Sequence, residues 1–72
     1  MSGPIRKRSV TLAGHRTSVS VEDEFWDALK ALARARRRAL ADLLSEIDAA
    51  RPGNLSSAVR LYVLKSLQQQ QR

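Results

Sequence analysis

The chain of 72 residues has no cysteine, one histidine and three aromatic residues. It can therefore form no disulfide, and a single histidine leaves no ligand set for a structural zinc ion. A domain of this size buries only about 60% of the surface that its unfolded chain exposes. Because neither a disulfide nor a metal can add stability, we expect an obligate homodimer.

The same scarcities exclude several classes of function. The lone His15 has no nucleophile or metal-ligand partner in the pattern, and the carboxylates cluster where a helix would begin, so we expect no enzyme, no metal site and no cofactor. The chain has no glycine-rich phosphate loop, and its aromatic residues are too few and too scattered to form a stacking surface for single strands. No apolar run is long enough for a signal peptide or a membrane span, which predicts a cytoplasmic protein without a membrane partner.

Basic residues dominate the charge and lie in two blocks. Thirteen Lys and Arg residues face seven acidic ones, for a net charge of +6 and a pI near 11.2. Residues 1–16 carry four cations without an acid, and residues 34–38 carry four more. Each block alone is equally consistent with a solvated tail or helix face and with a nucleic-acid contact. Two such blocks around a polar strand favour a nucleic-acid partner.

The most informative stretch is residues 16–27, where a two-residue alternation changes to helical spacing. Val19 and Val21 point to one face of an extended strand, and Arg16, Ser18 and Ser20 point to the other. Four acids in residues 22–27 then open a helix, where the helix dipole favours them. Val19 and Val21 lack a strand partner in the same chain unless residues 10–12 provide one.

The flanking segments divide the chain into an arm, a domain and a tail. We predict a basic flexible arm over residues 1–9, a domain over 10–67 and a frayed tail over 68–72. The apolar positions of Val10-Thr11-Leu12 are even-numbered whereas Val19 and Val21 are odd-numbered, so Gly14 marks a bulge or a turn between them.

Helical periodicity continues from residue 22 to about 50, with an apolar stripe that Arg36 would interrupt. We therefore place a break between residues 36 and 39, although no glycine or capping residue marks it. Arg51-Pro52-Gly53-Asn54 is a turn signal, in which Asn54 can cap a last helix from Leu55 to about Leu67.

Over residues 16–50 these features resemble the ribbon-helix-helix family of bacterial DNA-binding proteins, the fold of the Met and Arc repressors. The residues that carry the resemblance are Arg16 to Trp26, followed by Leu29, Leu32, Leu40, Leu43 and Leu44. In that family, strands from two chains pair into one ribbon that enters the major groove. The resemblance implies a mostly α fold with one short N-terminal ribbon strand per chain, an intertwined homodimer and, in this chain, an additional C-terminal helix.

The resemblance also implies roles for individual residues. Arg16, Ser18 and Ser20 would face the bases, with only weak discrimination by the two serines. Phosphates would be neutralised by side chains of both basic blocks, which are Lys7, Arg8, Arg36, Arg37 and Arg38. The dimer core would consist of Val19, Val21, Phe25, Leu29, Leu32, Leu43 and Ile47. Family members usually have a glycine and a capping hydroxyl residue between the two helices, where this chain has Arg37 and Ala39.

The function that follows is double-stranded DNA binding, sequence-specific or weakly specific, by a transcriptional repressor or autoregulator on the nucleoid. The alternative is an adaptor with a protein partner, such as an antitoxin or a helical dimer that docks another protein. The helix at 55–67 extends the dimer interface or is itself the second helix of the fold, since its start is capped. A basic amphipathic helix on a membrane is disfavoured because the arginines of residues 34–38 interrupt the apolar stripe.

Overall fold

The computed structural model describes residues 4–50 and 54–70, which form a two-stranded antiparallel ribbon followed by three helices. In chain order the elements are β1 (Ile5–Leu12), β2 (His15–Glu22), α1 (Asp23–Ala35), α2 (Leu40–Ala50) and α3 (Leu55–Gln70). This architecture confirms the predicted fold class: mostly helical, with an N-terminal ribbon and an additional C-terminal helix.

The ribbon is a hairpin of two strands within one chain, where the resemblance implied one short strand per chain. Its two-residue loop has positive φ at both positions, 52° at Ala13 and 81° at Gly14. Such a loop requires φ above zero at both residues, because only then does its twist match that of the strands. Residues 5–9, which we expected in the flexible arm, instead belong to β1, since their backbone pairs with residues 18–22 of β2.

The pairing register explains why the apolar residues are even-numbered in the first alternating stretch and odd-numbered in the second. The pairs run from Leu12 opposite His15 to Ile5 opposite Glu22, so even-numbered residues of β1 face odd-numbered residues of β2. Directly opposed residues of an antiparallel pair point to the same face. The even-numbered Val10 and Leu12 therefore share a face with Val19 and Val21, and the turn at residues 13 and 14 brings them together.

The predicted break between the first two helices is confirmed, and its backbone ends α1 in a Schellman motif. Arg38 N–H donates to the Ala33 carbonyl (2.9 Å) and Arg37 N–H to the Arg34 carbonyl (3.0 Å). Arg37 has φ 56°, the left-handed conformation that glycine usually adopts at this position. Ala39 precedes α2 and accepts the first helical hydrogen bond, from Leu43 N–H, but its methyl group cannot cap the helix.

The last helix begins at its predicted cap. Asn54 Oδ1 accepts a hydrogen bond from Ser57 N–H (2.8 Å), which satisfies one of the free amides at the start of α3. The rest of the predicted turn, residues 51–53, lies outside the described residues. At the other end, residues 68–70 continue the helix where we expected a frayed tail.

The hydrophobic core lies within the single chain, between the inner face of the ribbon and all three helices. Six of the seven residues assigned to a dimer core are buried in it, and Phe25 is partly buried against it. Val19 and Val21 do have strand partners within the chain, because Arg8 and Arg6 of β1 lie opposite them; residues 10–12, the only partners that we considered, lie opposite residues 15–17. The complete buried apolar set is Leu12, Val19, Val21, Leu29, Leu32, Ala33, Leu43, Leu44, Ile47, Leu55, Val59 and Val63.

The helices are too short or too polar to cross a bilayer: none in residues 4–50 and 54–70 contains an apolar stretch of the necessary length.

Candidate nucleic-acid interface

Four cross-strand pairs lie on the face of the ribbon turned away from the helices, and the three nearest the loop are called here the outer face. These three pairs are Thr11 with Arg16, Ser9 with Ser18, and Lys7 with Ser20. The alternation of strand residues places all six side chains on this side, opposite the buried Val19 and Val21. The three residues predicted to face the bases, Arg16, Ser18 and Ser20, therefore do lie together on one face, and β1 adds three more.

The outer face combines two cations with four hydroxyl groups. Lys7 and Arg16 are exposed, and neither forms an ion pair with another described residue. They stand four residues apart along the ribbon, which is about 14 Å at 3.4 Å per residue. Thr11 and Ser9 are exposed, whereas Ser18 and Ser20 are half-buried. The two cations can donate hydrogen bonds at the two ends of this surface, and the hydroxyl groups between them can both donate and accept.

Two cations of β1 point to the other face and contact α1. Arg8 donates to Asp23 Oδ1 (2.7 Å), and its guanidinium lies 4.8 Å from the centre of the Trp26 ring. Arg6 lies 3.7 Å from the same carboxylate. The hydrogen bond from Arg8, followed by the charges of both arginines, lowers the pKa of Asp23. Arg8, predicted to contact a phosphate, is held by these contacts and ties the ribbon to α1.

The edge of β2 away from β1 is covered by the start of α3. Ser20 N–H donates to Ser56 Oγ (2.9 Å), so the backbone groups of Ser20 point away from β1 toward this helix. Two residues further on, Arg60 donates to Glu22 Oε1 (3.2 Å). A hydrogen bond from its own backbone N–H, together with Arg60, lowers the pKa of Glu22. These contacts hold α3 against the ribbon.

The arginines between α1 and α2 have different surroundings, although the sequence treats them alike. The Arg36 guanidinium lies 5.2 Å from the Tyr62 ring centre and donates to Ser66 Oγ (3.5 Å). Arg38 forms an ion pair with Glu46. Arg37 and Arg34 are exposed and have no ionic partner among the described residues. Arg36, Arg37 and Arg38 were the predicted phosphate contacts of residues 34–38. Of these three, Arg37 alone is exposed and has no ionic or hydrogen-bonding side-chain partner among the described residues.

The sequence pattern did not predict that β1 places Lys7, Ser9 and Thr11 on the outer face, opposite Ser20, Ser18 and Arg16 of β2. The available signal was the two-residue Ala13-Gly14 segment between two alternating stretches, which is the length of a tight hairpin loop. The basic composition of residues 6–8 concealed the strand, because charged residues usually indicate a solvated arm.

The described residues contain no group of three or more His, Cys, Asp or Glu side chains that could hold a metal ion. Comparison with known protein families finds a match to the ribbon-helix-helix domain over residues 5–67. This match covers both strands of the hairpin and nearly all of the three helices. No curated protein and no solved structure matches the chain.

Proposed function

The chain belongs to the ribbon-helix-helix domain family, whose members are generally DNA-binding transcription regulators, and we propose that it binds double-stranded DNA and represses transcription, including that of its own gene. The observation that carries this proposal is the outer face of the ribbon. Three cross-strand pairs present two cations and four hydroxyl groups there, without an acid among them. Glu22, the nearest acid on that face, lies beyond these pairs and is bound by Arg60.

The dimensions of the ribbon suit the major groove. Two strands about 4.8 Å apart fit a groove about 12 Å wide, whereas the minor groove, about 6 Å wide, is too narrow. Arg16 near the loop can donate two hydrogen bonds to O6 and N7 of a guanine. Ser18 and Ser20 accept or donate and therefore discriminate little, so Arg16 supplies most of the preference on β2.

Phosphate contacts come from the cations that the fold leaves unpaired. Arg37 at the end of α1 is such a cation, with Arg34 one turn before it. α1 has 13 residues and is about 20 Å long, so these arginines lie nearly a helix length from the start of α1 at the ribbon, where they would meet phosphates outside the part of the groove that the ribbon enters. Arg36 and Arg38 contribute less, since Tyr62 and Glu46 already hold them.

Members of the family typically bind DNA as dimers, and we propose a homodimer for this chain as well. The leucines of α3 that face away from the core support a helical dimer surface: Leu61 and Leu64 are 53% and 48% exposed. Leu67 on the same side is 42% exposed. We propose that this dimer is cytoplasmic and binds the DNA of the nucleoid.

The test is salt-dependent binding to duplexes of random sequence and of the promoter upstream of the gene, measured by fluorescence anisotropy. We expect binding to both, tighter to the promoter, with an affinity that falls as salt rises. Arg16→Ala should reduce the promoter preference, while Lys65→Ala, a matched removal of charge on the exposed side of α3, should leave the preference unchanged. Absence of duplex binding at low salt would refute the proposal and favour a protein adaptor.

A further inference from the structure

We propose that one chain carries a complete groove-reading ribbon, in which β1 supplies Lys7, Ser9 and Thr11 as base-facing residues beside those of β2. This inference rests on the proposed DNA binding. It differs from a ribbon shared between two chains, in which each chain contributes one strand and a single chain has no surface to insert. Here the hairpin supplies both strands, and a second copy is not needed to build the surface that enters the groove.

The first support is the extent of pairing. All eight residues of β1 are paired with β2, from Ile5 opposite Glu22 to Leu12 opposite His15. A partner strand that paired with β2 in place of β1 would have to break this ladder. It would also separate Leu12, which is 4% exposed, from the core that it shares with Val19.

The second support is the cover on the remaining edge of β2. Ser20 N–H points away from β1 and is satisfied by Ser56 Oγ, and Arg60 holds Glu22 two residues further on. Because backbone groups alternate between the two edges, those of Ser18 and Arg16 point to the same side as Ser20. A strand from a second copy could pair along this whole edge only by displacing α3, whose Val59 is fully buried in the core.

The third support is the chemistry of the β1 side chains. The Lys7 ammonium can donate to guanine O6 and N7, the Thr11 methyl can contact the thymine methyl, and the Ser9 hydroxyl can contact any base. Lys7 and Arg16 lie four residues apart along the ribbon, about 14 Å, which spans about four base pairs. The expected site therefore has two guanine positions about four base pairs apart, one for each cation.

A cross-strand disulfide tests whether the ribbon belongs to one chain. Ser9 and Ser18 are directly opposed on the outer face, and the direction of the Ser20 amide makes theirs a non-hydrogen-bonded pair with a short Cα separation of about 4.5 Å. The natural chain has no cysteine, so S9C/S18C introduces the only thiols. Oxidation at micromolar concentration should give a monomer on a non-reducing gel, with the disulfide mapped inside one chain. The single variants S9C and S18C are controls, and a covalent dimer as the main product of S9C/S18C would overturn the proposal.

Base preference tests the role of β1. Lys7→Ala and Arg6→Ala remove the same charge from neighbouring residues, but Lys7 lies on the outer face and Arg6 on the other. In selection from a randomised duplex pool, Lys7→Ala should lower the preference at one position about fivefold or more, and Thr11→Ala should relax a thymine position. Arg6→Ala lowers the net charge without changing the outer face, so it should leave the base preference unchanged. Circular dichroism is used to check that each variant is folded.

The outcomes separate this inference from the proposed function. If the wild-type protein binds no duplex, the proposed function fails and the inference fails with it. If Arg16→Ala changes the preference while folded Lys7→Ala and Thr11→Ala do not, β1 does not face the bases and this inference alone is refuted. If Lys7→Ala and Arg6→Ala weaken all duplexes equally, Lys7 contacts phosphate, which also refutes it.

Discussion

Replacing Arg37 by glycine should stabilise the protein while weakening its binding to DNA. Arg37 has φ 56° at the position that follows the end of α1 in the Schellman motif. The left-handed conformation costs a residue with a Cβ about 1–2 kcal/mol, and glycine avoids this strain. Glycine loses more backbone entropy on folding, about 0.5–1 kcal/mol relative to alanine. The expected net gain is therefore about 0.5–1 kcal/mol.

The comparison with Arg37→Ala isolates the backbone contribution. Both variants remove the same exposed guanidinium, so any difference in stability between them comes from the backbone: it is the left-handed strain of alanine less the additional backbone entropy that glycine loses on folding. For a domain of this size, a gain of about 0.5–1 kcal/mol raises Tm by about 2–8 °C, measurable by circular dichroism. Arg34→Gly, a substitution inside α1, should lower the stability by about 1 kcal/mol.

The same variants measure the role of the side chain in binding. If Arg37 neutralises a phosphate, Arg37→Gly and Arg37→Ala should both flatten the slope of log K against log salt, by about 0.9 for each phosphate that is no longer neutralised. In that case the charge of Arg37 strengthens DNA binding although its left-handed backbone conformation lowers the stability of the fold. An Arg37→Gly protein that is no more stable than Arg37→Ala would refute the strain argument. An unchanged salt slope would refute the phosphate interaction.

Three further outcomes follow from the packing. Ala13→Asn should raise stability by about 0.5 kcal/mol in urea unfolding, because asparagine tolerates the positive φ of the hairpin loop, whereas Gly14→Val should destabilise the hairpin. Since Arg8 lowers the pKa of Asp23 in the folded state, the pair stabilises the fold above the ordinary carboxyl pKa and this contribution disappears as the pH falls below about 4. The stability difference between the wild type and Asp23→Asn should therefore shrink in urea titrations from pH 6 to pH 3, and a constant difference would contradict the pair. Leu64→Glu should convert the proposed dimer to a folded monomer in sedimentation equilibrium, while Gln69→Glu, which is exposed on α3 outside the stripe of leucines, should not; a persistent dimer would place the interface elsewhere.

The sequence was sufficient for features that depend on local spacing. The alternation in residues 16–21 separated the buried valines from Arg16, Ser18 and Ser20, because a strand directs successive side chains to opposite faces. The helix limits near residues 36–39 and at Asn54 also followed, since an arginine within an apolar stripe and a capping side chain act over a few residues.

The tertiary structure alone decided which strand pairs with β2 and what each cation contacts. Residues 5–9 look like a charged arm, and only their pairing with residues 18–22 makes them a strand. Arg8 meets an acid 15 residues away, and Arg36 meets a serine 30 residues away. The sequence does not show which group a charged side chain contacts, because the packing of distant elements determines that contact. Composition therefore favoured a polyanion as the partner, whereas the fold determined which arginines remain exposed.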